Sequence, residues 1–443
     1  MRSVWRAVAA VAAAALVSCA HDDRYFFAGV DADHGIEPWT SDGTAEGTQL
    51  LKDVQAGRSS SGAALFTRGS GGTYFTTVLP GRQLWRSDGT EAGTVLVKNF
   101  GPRPAGTPAE RADVCDLAAI GHRLFFTVDD FVHGRELWVT EGTEETTHLV
   151  ADLAPGPTSS WASTCSTGSS LTSGISSLRG QALFGVWQGS ETALFRSDST
   201  EAGTVEVFRY TDHLFLQGVG SRVLFAGTHD LFATDGTEGG TVLLHAFNRG
   251  RDVEYRRIVA AGGRLFLAAS DETSLANTTG SQLWKSDGTG AGTVRVKDLD
   301  DQLIWLSTLT AAGSDVYFMA SPRPAGHPQN PKALWKSDGT ERGTAPVAPV
   351  ALGNVSNMTG GHGRLFFDIW YGTGVGNAPG IASQLWTSDG TRNGTHNLRT
   401  FYTARGHQLI GGTLFFMADE RPGTLDLWKS DGTAAGTVVV RAF

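Results

Sequence analysis

Aspartate recurs at one position in a turn repeated along the chain. Asp42, Asp88, Asp198, Asp235, Asp287, Asp338, Asp389 and Asp431 each stand in S-D-G-T or a near variant. Carboxylates arrayed this way invite a calcium reading, since calcium takes about six to eight oxygens, commonly from several carboxylates close together. Each turn carries only one, and equivalent turns fall in different repeats. A turn cap is the preferred reading, because an Asp side chain accepts backbone N–H bonds two residues on. The 12 histidines show no metal-ligand spacing, neither H-E-x-x-H nor H-x-H. His34-Gly35 and His133-Gly134 lie in equivalent loops, where a turn role is expected. Gly372-Thr373-Gly374-Val375-Gly376 opens no helix and so does not make a phosphate-binding loop. A G-x-S-x-G nucleophile elbow is absent from the chain. No catalytic, cofactor-binding or metal residue is assigned. A carboxylate pair for glycoside cleavage, gathered from distant loops, stays open as the rival.

The elements that must position these residues are repeats. Nine aromatic anchors, Trp39, Trp85, Trp138, Phe195, Phe232, Trp284, Trp335, Trp386 and Trp428, each precede such a turn and then a second Gly-Thr or its variant. Their mean period of about 49 residues marks a repeat architecture. Each unit also carries an earlier aromatic run, such as Tyr74-Phe75 or Leu365-Phe366-Phe367. Apolar runs without polar alternation suit strands covered on both faces. A short segment ending in Gly precedes that run, and a β-branched run such as Val95-Leu96-Val97-Lys98 follows the turn. One unit is therefore four short strands, with Asp-Gly supplying positive φ between the last two. Motif Trp residues could stack on sugars, but their fixed place in every repeat argues for packing between units.

Four antiparallel strands per unit, with a longer crossing to the next, describe a propeller blade. The expectation is an all-β fold, a single β-propeller of about nine four-stranded blades over residues 25–443. The first blade is expected to be incomplete, because no first strand is recognisable before Tyr25. A linear solenoid is the competing architecture, and it would need polar capping repeats.

Formal charge is −9, and without Arg2 and Arg6 it becomes −9 − 2 = −11. With no basic run, nucleic-acid binding has no electrostatic support. Arg2 and Arg6, the apolar run Val8 to Val17, and Leu16-Val17-Ser18-Cys19 read as an export signal too short to span a bilayer. The last four residues resemble the lipobox of bacterial lipoproteins, which implies cleavage before Cys19 and a lipid on its thiol. Residues 1–18 are then the signal peptide and 19–24 the anchored linker. An ordinary signal peptide with a chance cysteine is the alternative. Export would place Cys115 and Cys165 where disulfides persist, so a bond between them is expected, with two separate buried thiols as the other reading.

The repeated motif, with Glu136-Leu137-Trp138 keeping its first letters, resembles the ELWxxDGT repeat of bacterial secreted or surface proteins across nearly all of residues 25–443. That resemblance implies a repeat fold and no catalytic activity. The turn also resembles the Asp-box of sialidases and related propellers, where it is structural. Departures fall at Glu141, Ser199, Phe195 and Phe232, and those turns are expected to be less regular. The expected function is a non-enzymatic, lipid-anchored propeller of the bacterial cell envelope, a monomer binding a protein or glycan partner. An enzyme acting on glycans or glycosides is the alternative, and a surface-layer component a third. Two carboxylates and an Arg clustered in the central funnel would favour the enzyme; a funnel lined by small residues would not.

Overall fold

The structure is a computed structural model. It describes residues 24–102, 104–106, 114–156, 174–188, 191–211, 215–227, 229–247, 258–269, 282–299, 304–322, 332–350, 354–370, 383–421 and 425–443. Every regular element among them is a strand, β1 to β35 in chain order. The strands form nine antiparallel sheets, each built from consecutive strands. This is a nine-bladed propeller.

The second blade shows the common plan, with β4 (Ala64–Gly69), β5 (Gly72–Thr77), β6 (Gln83–Ser87) and β7 (Val95–Asn99) in that order. Phe75 of β5 pairs with Trp85 of β6, and their rings stack at 6.1 Å. Between β6 and β7 the register shifts at Leu84/Trp85, so Leu84 faces Lys98 while Trp85 faces Leu96. The extra residue, Val97, is turned inward and buried. Such a bulge bends the outer strand and steepens the twist. The same shift beside the aromatic anchor occurs in eight of the nine blades, so the bulge belongs to the repeat.

The first blade has three strands among the described residues, β1 (Tyr25–Gly29), β2 (Glu37–Ser41) and β3 (Gln49–Leu50). Phe27 faces Trp39 as Phe75 faces Trp85, so these three match the second, third and fourth strands of the other blades. The first strands of neighbouring blades lie side by side, from β4 and β8 (Cys115–Ile120) round to β28 (Asn354–Gly361) and β32 (Thr403–Ile410). They therefore form the wall of the central channel. β1 touches both β4 and β32, which closes the ring.

The core is divided among the seams. Each hydrophobic cluster joins two adjacent blades, as Trp335 does by packing with Phe266, Leu283 and Phe318. The seam between last and first blades is built alike: Tyr25, Phe27 and Trp39 pack with Phe415, Met417 and Leu427. Tyr25 stacks on Phe415 at 5.5 Å and donates its hydroxyl to the Gly406 carbonyl at 2.8 Å. Burying a side chain of this size contributes roughly 1.5–3 kcal/mol, so the closing seam is held as the others are.

Candidate binding surface

Every standard turn is bonded to itself. In the seventh blade Asp338 Oδ1 accepts from the Thr340 N–H at 2.8 Å and from its hydroxyl at 2.7 Å. Thr340 Oγ1 accepts from Gly343 N at 2.9 Å, and Ser337 Oγ from Gly339 N at 3.1 Å. Thr344 bonds Ser337 Oγ at 2.7 Å and donates to the Thr340 carbonyl at 2.6 Å. The Thr340 hydroxyl, then its N–H, holds the Asp338 carboxyl below the ordinary range. The same network recurs at Asp42, Asp235 and Asp431. One oxygen of the carboxylate, Oδ1, is thus turned onto its own loop.

The glycine five residues after each Asp has a steric reason. A Cβ on Gly343 would lie 2.2 Å from the Asp338 carboxyl carbon, and one on Gly47 2.0 Å from Asp42 Oδ1. All eight Asp turns keep this glycine, and the turn at Glu141 replaces it with Thr146. Thr146 Oγ1 there accepts from Glu141 N and Thr143 N, both at 3.2 Å. Glu141 points elsewhere, 3.1 Å from His122 and 3.4 Å from Arg123. So the expected irregularity holds at Glu141 and fails at the other departures. The Ser199 turn keeps the Asp198–Thr200 bonds at 2.9 and 2.7 Å, with Ser199 taking the glycine's left-handed φ of 81°. The turns after Phe195 and Phe232 keep their networks too, because the ring packs in the seam and makes no turn bond.

The residue two before the aromatic anchor divides into two roles. Gln83, Gln282 and Gln384 accept the Trp indole N–H at 3.0–3.1 Å. Glu37 instead reaches the crossing to the next blade, accepting from Val54 N at 3.1 Å and Ser61 N at 2.9 Å. Burial raises its pKa, against the pull of those bonds. Glu136 does the same for Ala154 N at 3.0 Å. Basic residues form a second link, each clamping the turn of the following blade: Lys285 to Gly339, Arg222 to Gly288 and Lys429 to Gly43, at 2.7, 3.1 and 2.7 Å.

On the channel wall the described first strands carry few charges, namely Arg68, Asp116 and Arg405. Asp116 accepts from the Thr127 hydroxyl at 2.7 Å. Behind the wall, His407 Nε2 lies 3.3 Å from Asp368 Oδ1, with both side chains almost wholly buried. Asn357 Nδ2 donates to Asp368 Oδ2 at 2.7 Å. No sequence spacing pointed to this cluster, which joins β28, β29 (Arg364–Trp370) and β32.

The opposite face carries the connections between second and third strands. Asp31 Oδ1 accepts from His34 N at 2.8 Å and lies 2.8 Å from its ring Nδ1; Asp130 holds His133 N at 2.8 Å and its ring at 2.7 Å. Both histidines therefore act in turns, as expected. Cys115 opens β8 and is 4 % exposed. Cys19, Cys165 and the glycine-rich 372–376 segment lie outside the described residues.

These features define a closed β-propeller with self-satisfied turns and a sparsely charged channel wall. No family model and no curated protein matches the chain. By structure it is similar to a eukaryotic initiation factor at a TM-score of 0.56 and 10 % identity, with 95 % of each chain covered. It is also similar to the computationally designed Ika8 protein, at 0.49 and 10 %, over 83 % of this chain and 96 % of that one. A prolyl endopeptidase is similar at 0.43 and 12 %, over 82 % of this chain; the alignment spans only 54 % of the endopeptidase. At such identities the likeness concerns the fold alone.

Proposed function

We propose that this protein is a non-enzymatic binding propeller of the bacterial cell envelope, built from ELWxxDGT-type repeats and anchored by a lipid on Cys19. The channel wall carries the reading: one carboxylate, Asp116, and two arginines, Arg68 and Arg405, are the charges on the described first strands. A hydrolytic funnel would need a second acid at controlled separation. The connections between second and third strands range in length from the two residues 189–190 to the twelve residues 270–281, and variable loops on a rigid scaffold are where specificity resides.

The anchor is supported by the residues before Cys19, with their charged start, apolar run and small residues. We further infer that Cys115 pairs with Cys165 after export. The burial of Cys115 supports the bond. Fractionation tests the anchor. Cys19→Ala should move the protein from membranes to the soluble fraction; unchanged membrane partition refutes lipidation. Turnover of a glycoside by the purified protein would overturn the non-enzymatic reading.

A further inference from the structure

Among the described residues, exposed large apolar side chains fall into two groups, with Trp370 at the end of β29 in the eighth blade apart from both. One group sits on outer strands, such as Leu96 and Leu243, spaced round the circumference. The other is concentrated on the loop face of the first three blades. Val30, Ile36, Val78, Leu79 and Val132 stand there at 37 %, 44 %, 38 %, 52 % and 66 % exposure. Scattered exposed apolar residues need no explanation, but a run across three blades does.

Backbone and side-chain contacts hold this run in place. Ser61 N donates to the Ile36 carbonyl at 3.1 Å, while Val78 N and Leu79 N both donate to the Ser61 carbonyl, at 3.0 and 3.1 Å. Arg82, itself buried, reaches from the second blade to the Asp129 carbonyl of the third. Its guanidinium lies 4.5 Å from the centre of the Phe131 ring, next to Val132. Ile36, Val78, Leu79 and Val132 thus form a preorganised arc, which lowers the ordering cost of binding.

The arc is bracketed by acid. Asp33, Asp53 and Asp152 are exposed, and Asp31 and Asp130 are half-buried. Against the burial that would raise them, hydrogen bonds from His34 and His133 hold Asp31 and Asp130 below the ordinary carboxylate range. These five carboxylates outnumber Lys52, Arg58 and Arg82, so the rim is negative while both imidazoles are neutral.

The chain's point of emergence separates a protein partner from a lipid surface. Antiparallel order puts the connections between first and second strands on the same face as the S-D-G-T turns, and those between second and third strands on the other. Arg24 lies on the turn face, where a Cβ on Gly89 would stand 3.2 Å from its Cδ. Cys19 precedes it by five residues, and five extended residues span at most about 18 Å. On the anchored reading above, the arc therefore faces away from the anchoring membrane.

We propose that the arc docks an extended, basic and apolar segment of a partner protein, with its aliphatic side chains on Ile36, Leu79 and Val132 and its Lys or Arg residues facing the aspartate rim. This deepens the binding role proposed above and rests on it. Alternating side chains on an extended segment suit such a surface.

The test uses the processed full chain in nanodiscs of zwitterionic lipid, with empty nanodiscs as blank. The probes are fluorescent peptides of alternating Leu-Lys and of alternating Leu-Glu, read by anisotropy. The Leu-Lys peptide should bind about tenfold or more tightly than Leu-Glu, and added salt should weaken it. Combined Ile36→Ser, Leu79→Ser and Val132→Ser should lower its affinity about tenfold or more, with the urea midpoint unchanged. Leu96→Ser with Leu243→Ser should leave it alone. Equal binding by the triple variant overturns the arc while leaving a binding role elsewhere. Binding of neither peptide to the unsubstituted protein overturns the docking proposal, and the Cys19 fractionation judges the anchor separately. Capture of anionic vesicles by Cys19→Ala protein, lost in the triple variant, would make the arc a lipid surface and overturn it too.

Discussion

Gly343→Ala is the most incisive test of the turn chemistry, because the atoms nearest its new methyl all belong to one carboxylate. Gly343 does not occupy the left-handed region, so alanine meets no backbone penalty there. Its Cβ would instead fall 2.2 Å from Asp338 Oδ1, inside any tolerable contact. The carboxylate must swing away and release the Thr340 N–H and hydroxyl, now held at 2.8 and 2.7 Å. Two hydrogen bonds at roughly 0.5–1.5 kcal/mol each give about 1–3 kcal/mol, and exposure of the site favours the lower half. Alanine returns about 0.4–1 kcal/mol by restricting the unfolded chain. The expected net loss is about 1 kcal/mol. Asp338→Ala alone should cost about 1–2 kcal/mol through the same two bonds. In that background the obstruction is gone, so Gly343→Ala should be neutral or stabilising. The cycle then shows a coupling of about 1–2 kcal/mol, well above the additivity expected of independent sites. Urea midpoints are the suitable readout, because for a domain this long 1 kcal/mol moves the melting temperature by only about 1 °C. Equal costs of Gly343→Ala in both backgrounds would refute the reasoning. The Glu141 turn is a natural counterpart, having lost the Asp and the glycine together.

Two further outcomes follow from the same geometry. Trp335→Ala should destabilise by about 3–5 kcal/mol, since it empties the seam between sixth and seventh blades; a near-zero shift in urea midpoint would mean the ring is not packed there. Seven turn aspartates, Asp42, Asp198, Asp235, Asp287, Asp338, Asp389 and Asp431, are held below the ordinary carboxylate range, first of all by the hydroxyl of the following Thr. A carboxyl with a depressed folded pKa contributes stability above its unfolded value and loses it as pH falls through the folded one. The protein should therefore hold its stability down to about pH 4 and lose it below, and Thr340→Val should move that loss to higher pH. Urea midpoints taken from pH 7 to pH 2.5 check this, and an unchanged acid limb in Thr340→Val would count against it.

The sequence alone determined what is local and repeated. The turn network joins residues two to seven apart, so Ser337, Asp338, Thr340, Gly343 and Thr344 occupy a fixed pattern that recurs with each blade. Strand order follows from the same unit, because each sheet is built from consecutive strands. Even the spared glycine and its exchange at Thr146 are visible as letters, although their meaning needs the 2.2 Å approach. Tertiary structure decided whatever joins residues far apart. Tyr25 meets Phe415 across the closing seam, and Lys429 reaches the Gly43 carbonyl over 386 residues; no local pattern specifies either contact. The Asp368–His407 pair arises where two bulged first strands adjoin, a coincidence of neighbouring blades that leaves no spacing in the chain. The apolar arc is of the same kind. Ile36, Leu79 and Val132 are unremarkable in their own repeats, and only the ring places them on one face of three consecutive blades.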